Sequence, residues 1–289
     1  VEVKGKVEFG KGLLALGLRM ATSNLPQVLS SLGLQPLAQS ASLDVDVSGT
    51  MAQPRASGQL QVKGIGGKAG IPSIPSLQTK FHLSDGTLQV DGLNAQVAEG
   101  SLQGSGSLKL FERSVHNLLR SPSLQFRLDG RDIDLQDLVV GGLVSGKLAF
   151  EVTAQGSLAK PKLRFKMPAG VTVQVLGQTW QVGGIDAEVD KDGLALRLLQ
   201  VSGKSGGDIQ IEGHMRFAPK TLPMEWHLRI TELPVEAILA AARVDVPATG
   251  KLTIDLLLTG TSKAPLISGR IDLQGVHAMG VDLGDATLM

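Results

Sequence analysis

Apolar and polar residues alternate along most of the chain. Leu43, Val45 and Val47 are interleaved with Asp44, Asp46 and Ser48, and Leu148, Phe150 and Val152 with Lys147, Glu151 and Thr153. A period of two with one polar face is the signature of a β-strand whose other face seeks cover. The same pattern predicts strands over 77–83, 124–128, 163–167, 171–175, 185–189, 194–198, 209–217, 224–230, 252–258 and 271–273, within roughly 20 strand-like runs separated by Gly, Asp-Gly or Pro turns. Helical periodicity is confined to 25–34, 111–119, 134–140 and 233–243; the last has Pro234 in its first turn and alanines after it.

The pattern also repeats. Gly49-Thr50 followed by Pro54 recurs as Gly156-Ser157 with Pro161 and as Gly260-Thr261 with Pro265, at offsets of 107 and 104. Asp85-Gly86, Gly100 and Gly106 reappear 107 residues later as Asp192-Gly193, Gly207 and Gly213, and Gly5, Phe9 and Pro26 reappear 208 later as Gly213, Phe217 and Pro234. The chain therefore reads as one continuous array of about three units of roughly 105 residues. They span 1–100, beginning inside a repeat, then 101–207, then an incomplete 208–289.

One-faced strands need a second layer. Three or four short helices cannot cover so many strands, and the strands lack the all-apolar runs of a parallel sheet buried on both sides. The expected fold is all-β: a curved sheet of many short strands with an apolar interior and a few short helices, closed over a core or left open as a trough. Twenty strands stacked at about 4.8 Å would extend roughly 95 Å. One alternation phase, comprising Leu43, Val45, Val47, Leu148, Phe150, Val152, Leu194, Leu196, Leu198, Leu252, Ile254 and Leu256, is expected to line that interior.

Composition sharpens this picture. Nine aromatics (7 Phe, 2 Trp, no Tyr) leave the apolar share to aliphatics, and 36 glycines in 289 residues fit a chain dense in turns. With 28 basic against 27 acidic residues, charge points to no nucleic-acid partner. The absence of cysteine removes disulfides, thiolate metal sites and a cysteine nucleophile. The longest uncharged run, Met20 to Leu43, contains two prolines and amides and does not read as a spanning helix.

No stretch carries a catalytic or metal-binding constellation. Gly203-Lys204-Ser205-Gly206-Gly207 mimics a hydrolase elbow and the tail of a phosphate loop, but a strand follows it and Leu198 stands where the loop's first glycine belongs, so it reads as a turn. Gly64 to Gly70 precedes no helix and reads as a loop. Glu188, Asp190 and Asp192 resemble the front of a calcium loop whose twelfth position is Leu199, so they read as an outward polar face. His82, His116, His214, His227 and His277 are scattered. Asp134, near Asp132 and Asp137, reads as a helix cap. Lys162, Arg164 and Lys166 give one strand a basic outer edge. The expectation is a non-enzymatic protein without cofactor or metal.

Leu128-Asp129-Gly130-Arg131-Asp132-Ile133-Asp134-Leu135, Ser145-Gly146-Lys147-Leu148 and above all Gly260-Thr261-Ser262-Lys263-Ala264-Pro265-Leu266-Ile267-Ser268-Gly269-Arg270-Ile271 resemble the AsmA-like superfamily, and within it the TamB family. The strand, Gly-Thr or Gly-Ser, Pro, Gly phrase is fullest at 49–58 and 260–269; the middle copy has Phe165 in place of the second glycine. The resemblance implies a repeating β-groove of the β-taco type in the periplasm, anchored to the inner membrane by a segment preceding Val1. It further implies phospholipid acyl chains as cargo between inner and outer membranes, and an outer-membrane barrel partner of the TamA type. Two alternatives accompany this expectation: a scaffold for outer-membrane protein assembly that uses open strand edges, and a structural spacer with a closed core.

Overall fold

The computed structural model describes residues 2–8, 12–23, 38–66, 73–97, 99–135, 144–175, 178–219, 221–241 and 244–289. The described residues are nearly all strand, and the eighteen strands belong to one antiparallel sheet.

The chain divides into two compact units, the first comprising Val1–Val140 with Glu151–Pro161 and the second Gly141–Phe150 with Lys162–Met289. In the first, β1 (Glu2–Glu8), β2 (Leu13–Thr22), β3 (Ser40–Thr50), β4 (Pro54–Ile65), β5 (Ile74–Ser84), β6 (Thr87–Val97), β7 (Gly100–Phe111) and β8 (Leu118–Asp134) form a meander. Each pairs antiparallel with its successor. β9 (Val144–Ser157) has residues in both units.

In the second, β10 (Lys160–Met167) and β11 (Val171–Val175) both pair with β12 (Gln178–Val189), and β11 also pairs with β9. The meander then continues through β13 (Gly193–Gly203), β14 (Asp208–Arg216), β15 (Met224–Pro234), β16 (Ala248–Thr261), β17 (Ala264–Ala278) and β18 (Val281–Leu288).

Short connections make the meander. At the Asp85-Gly86 turn both residues have positive φ, 48° and 74°, which suits a tight two-residue hairpin. The three Gly-Thr/Ser turns share one geometry. Gly49, Gly156 and Gly260 have φ of 93°, 104° and 91°. The hydroxyl that follows each glycine accepts from the amide three residues on: Thr50 from Gln53 at 3.0 Å, Ser157 from Lys160 at 3.2 Å and Thr261 from Ala264 at 3.2 Å.

The helical expectations fare unevenly. The predicted helix over 233–243 appears as α1 (Val235–Ala241), packed on β15 and β16, although Leu233 and Pro234 still belong to β15. The predicted helix over 111–119 is instead a single 3-10 turn, Val115–Asn117, capped by Ser114. Phe111 and Leu118 on either side of it pair as strand residues, and His116 and Asn117 add little helix propensity to oppose that pairing. The segment 25–34 and residues 136–140 lie outside the described residues.

Among the described residues, the three most deeply buried hydrophobics sit at or near strand ends, while Val45, Val173 and Val182 are buried mid-strand. Val97 closes β6, Phe111 closes β7, and Ile133 sits near the end of β8; all are at most 4% exposed. No described polar side chain is buried.

Candidate functional site

Paired residues of an antiparallel ladder share a face, so the registers show what each face carries. In the first unit one row runs Leu18, Val45, Gly58, Phe81, Val90, Gly106 and Phe126 across seven strands. A second runs Leu16, Val47, Ala56, Leu83, Leu88, Leu108 and Leu124, and a third Met20, Leu43, Leu60, Thr79, Leu93, Gly104 and Leu128. Leu43, Val45 and Val47 thus belong to one apolar face with a single hydroxyl in these three rows. Of these side chains only Val45 is buried outright; most are half-exposed.

The second unit carries an equivalent face. One row is Phe165, Ala187, Leu196, Gly213, Trp226, Leu258 and Ile267, another Val182, Val201, Ile209, Ile230, Ile254, Ile271 and Leu288. Between them lie Ile185, Leu199, Ile211, Leu228, Leu256 and Gly269. Leu194 continues the face beside Val189 and Met215, and Leu252 beside Leu233 and Leu273. Leu148 is buried, and the Phe150 ring lies 5.7 Å from that of Phe165. Val152 is half-buried in the first unit.

One expected lining residue falls out of phase. A β-bulge between Leu196 and Leu199 shifts the register of β13, so Leu198 pairs with Asp186 of the polar face while Leu199 continues the apolar row. Leu198 is 37% exposed. Strict alternation through 194–198 could not show this, although the Leu198-Leu199 doublet marks the slip.

Sequence reasoning also missed a set of glycine seats. A Cβ placed on Gly58 would lie 2.9 Å from the Phe81 ring, one on Gly106 2.5 Å from that of Phe126, and one on Gly213 2.8 Å from that of Trp226. The few aromatics lie across bare backbone, which flattens the apolar face and pins the register.

The opposite face is polar and largely self-neutralised. Arg164 donates to both carboxylate oxygens of Asp186, and that bidentate contact holds the Asp186 carboxyl below its usual range. Glu188 takes Lys162 at 2.7 Å and Arg197 at 3.0 Å, and Arg127 grips Asp129 and Glu151. His82 meets Asp91 at 2.6 Å and His227 meets Asp255 at 2.5 Å. Asp190 accepts the backbone amides of Asp192 and Gly193, which lowers its pKa and marks a turn. Gly203 to Gly207 is the turn between β13 and β14, closed by the Gly203 amide on the Gly207 carbonyl at 2.8 Å. Of the acidic cluster at 132–137, Asp132 has φ of 55°, and Asp137 with the segment Asp134 was expected to cap lies outside the described residues.

Among the described residues no three histidine or acidic side chains gather as a metal site, and no helix is long and apolar enough to cross a membrane. A cleft of about 830 Å³ opens beside the first unit's polar rows, among Arg19, Asp44, Gln59, Gln78 and Asn94. Comparison with protein-family models, curated proteins and solved structures returns no match.

Proposed function

We propose that the chain is part of a non-enzymatic lipid-transfer conduit, a repeating β-groove of the AsmA-like kind that carries phospholipid between two membranes of the cell envelope. The observation that carries the reading is the apolar face of each unit. Rows of aliphatic and aromatic side chains run across seven strands, remain half-exposed, and among the described residues have one seven-residue helix as their only helical cover. Soluble monomers rarely leave contiguous apolar patches of more than a few hundred Å² in water. Acyl chains would fill such a face without local chemistry, at a gain of roughly 0.8 kcal/mol per buried CH₂. The polar face would stay in water with its charges paired. In this reading the full protein works in the periplasm, held at the inner membrane and meeting a barrel partner at the outer one.

Native mass spectrometry of protein purified without added lipid tests the proposal directly. Phospholipid is expected to co-purify, and Leu196→Asp is expected to lower its occupancy while the β-sheet circular-dichroism signal persists. Protein free of lipid, or a folded Leu196→Asp protein with unchanged occupancy, would overturn the conduit in favour of the assembly scaffold or the closed-core spacer.

A further inference from the structure

The polar side gathers three cations in one cleft with little acid beside them. At the turn end of the first unit, a cleft of about 550 Å³ is lined by Arg55, Lys109 and Arg113 together with the Gly49-Thr50 and Asp85-Gly86 turns. Among the described residues, Asp85 is the only carboxylate residue in that lining. Elsewhere the guanidiniums of Arg127, Arg164, Arg197 and Arg270 are held by carboxylates. Among the described residues, neither Arg55 nor Arg113 makes an ion pair.

The backbone around the cleft is held in an uncommon form. Gly49, Asp85, Gly86 and Arg113 all have positive φ, with Arg113 at 57°. A left-handed arginine is disfavoured, and such residues persist where the surroundings hold them. Here the Arg113 carbonyl accepts from Gln53 Nε2 at 2.8 Å, and Lys109 Nζ donates to the Asp85 carbonyl at 2.7 Å. These contacts fix the loop that carries the unpaired guanidinium.

The charge also recurs along the chain. At the 107-residue offset Arg55 becomes Lys162, Lys109 becomes Arg216 and Arg113 becomes Lys220. Lys162 is held by Glu188 at 2.7 Å, so what recurs is the basic residue type at these positions.

We infer that this cleft binds a phosphate-bearing anion, received by the planar guanidiniums of Arg55 and Arg113 with Lys109 as a third donor. Guanidinium forks match phosphate oxygens in a bidentate manner, and the turn glycines allow close approach. The inference rests on the lipid-transfer reading only for its source: on that reading the anion is a phospholipid headgroup, and otherwise it is a free phosphate.

Amide chemical shifts of the ¹⁵N-labelled full chain, titrated at low salt with inorganic phosphate and separately with dihexanoyl phosphatidylglycerol below its micelle concentration, test this. Saturable shifts confined to 49–55, 85–86 and 109–113 are expected from both. Arg55→Gln with Arg113→Gln should weaken both by about tenfold or more, and the double lysine variant by less. Shifts from phosphate alone would keep the anion site and overturn the headgroup assignment. No saturable shift in those segments, or undiminished binding by the glutamine variant, would overturn the site itself. Lipid co-purifying with the parent protein is read separately by mass spectrometry: its absence would overturn the conduit alone, whereas absent phosphate shifts would overturn the cleft alone.

Discussion

Gly106→Ala isolates the packing on which the apolar face depends. Gly106 lies between Val90 and Phe126 in the ladder, and a Cβ there would stand 2.5 Å from both the Gln125 carbonyl oxygen and the Phe126 ring, and 2.9 Å from the Phe126 Cα. The backbone oxygen cannot rotate away, so β7 and β8 must separate locally. Overpacking of this kind costs about 1–3 kcal/mol, against a gain of about 0.4–1 kcal/mol from restricting the unfolded chain. The net loss is about 1–2 kcal/mol, or a fall of about 2–8 °C in Tm for a unit of this size.

The matched control is Gly17→Ala on the polar face, where the nearest atom to a new Cβ is Asp46 Oδ1 at 3.4 Å; it should be neutral or slightly stabilising. Phe126→Leu added to Gly106→Ala should recover part of the loss, because it removes the ring contact and leaves the backbone one. Differential scanning calorimetry of the three variants and the parent checks this. A Gly106→Ala protein as stable as the parent, or a Gly17→Ala protein that falls equally, would refute the pairing of aromatics with bare backbone.

The bulge in β13 makes a second prediction: Leu198→Lys, out of phase and facing Asp186, should change stability by less than about 0.5 kcal/mol, while Leu196→Lys should cost roughly 2 kcal/mol, both read from urea midpoints. The Arg164–Asp186 pair gives a pH dependence. The Asp186 carboxyl is depressed when folded, so its contribution is present above the ordinary aspartate range and is lost as pH falls through the folded value. Solvent screening limits that contribution to about 1 kcal/mol, and Arg164→Gln should lower stability near neutral pH by that order while flattening the acid limb. A parallel downward shift of the whole pH profile in Arg164→Gln would contradict it.

Much of the fold was legible because strand periodicity and turn chemistry are local. The alternation at 43–47, 171–175 and 252–258 lies within β3, β11 and β16. The Gly-Thr and Gly-Ser turns adopt one geometry because each carries its own hydroxyl cap. The residues at 111–119 misled because two turns of weak helical periodicity cannot outweigh a strand pairing that the local sequence does not display.

By itself, then, the sequence determined that this is an all-β protein with one apolar and one polar phase per strand, because a side chain's face follows from its parity. Only the tertiary structure decided where that parity breaks. The bulge at Arg197 and Leu198 moves a leucine from one face to the other, and the seating of Phe81, Phe126 and Trp226 over Gly58, Gly106 and Gly213 depends on strands finding one register. The cations of Arg55, Lys109 and Arg113 likewise come from separate stretches of chain, and only the pairing of β4 with β5, β5 with β6 and β6 with β7 brings them to one cleft.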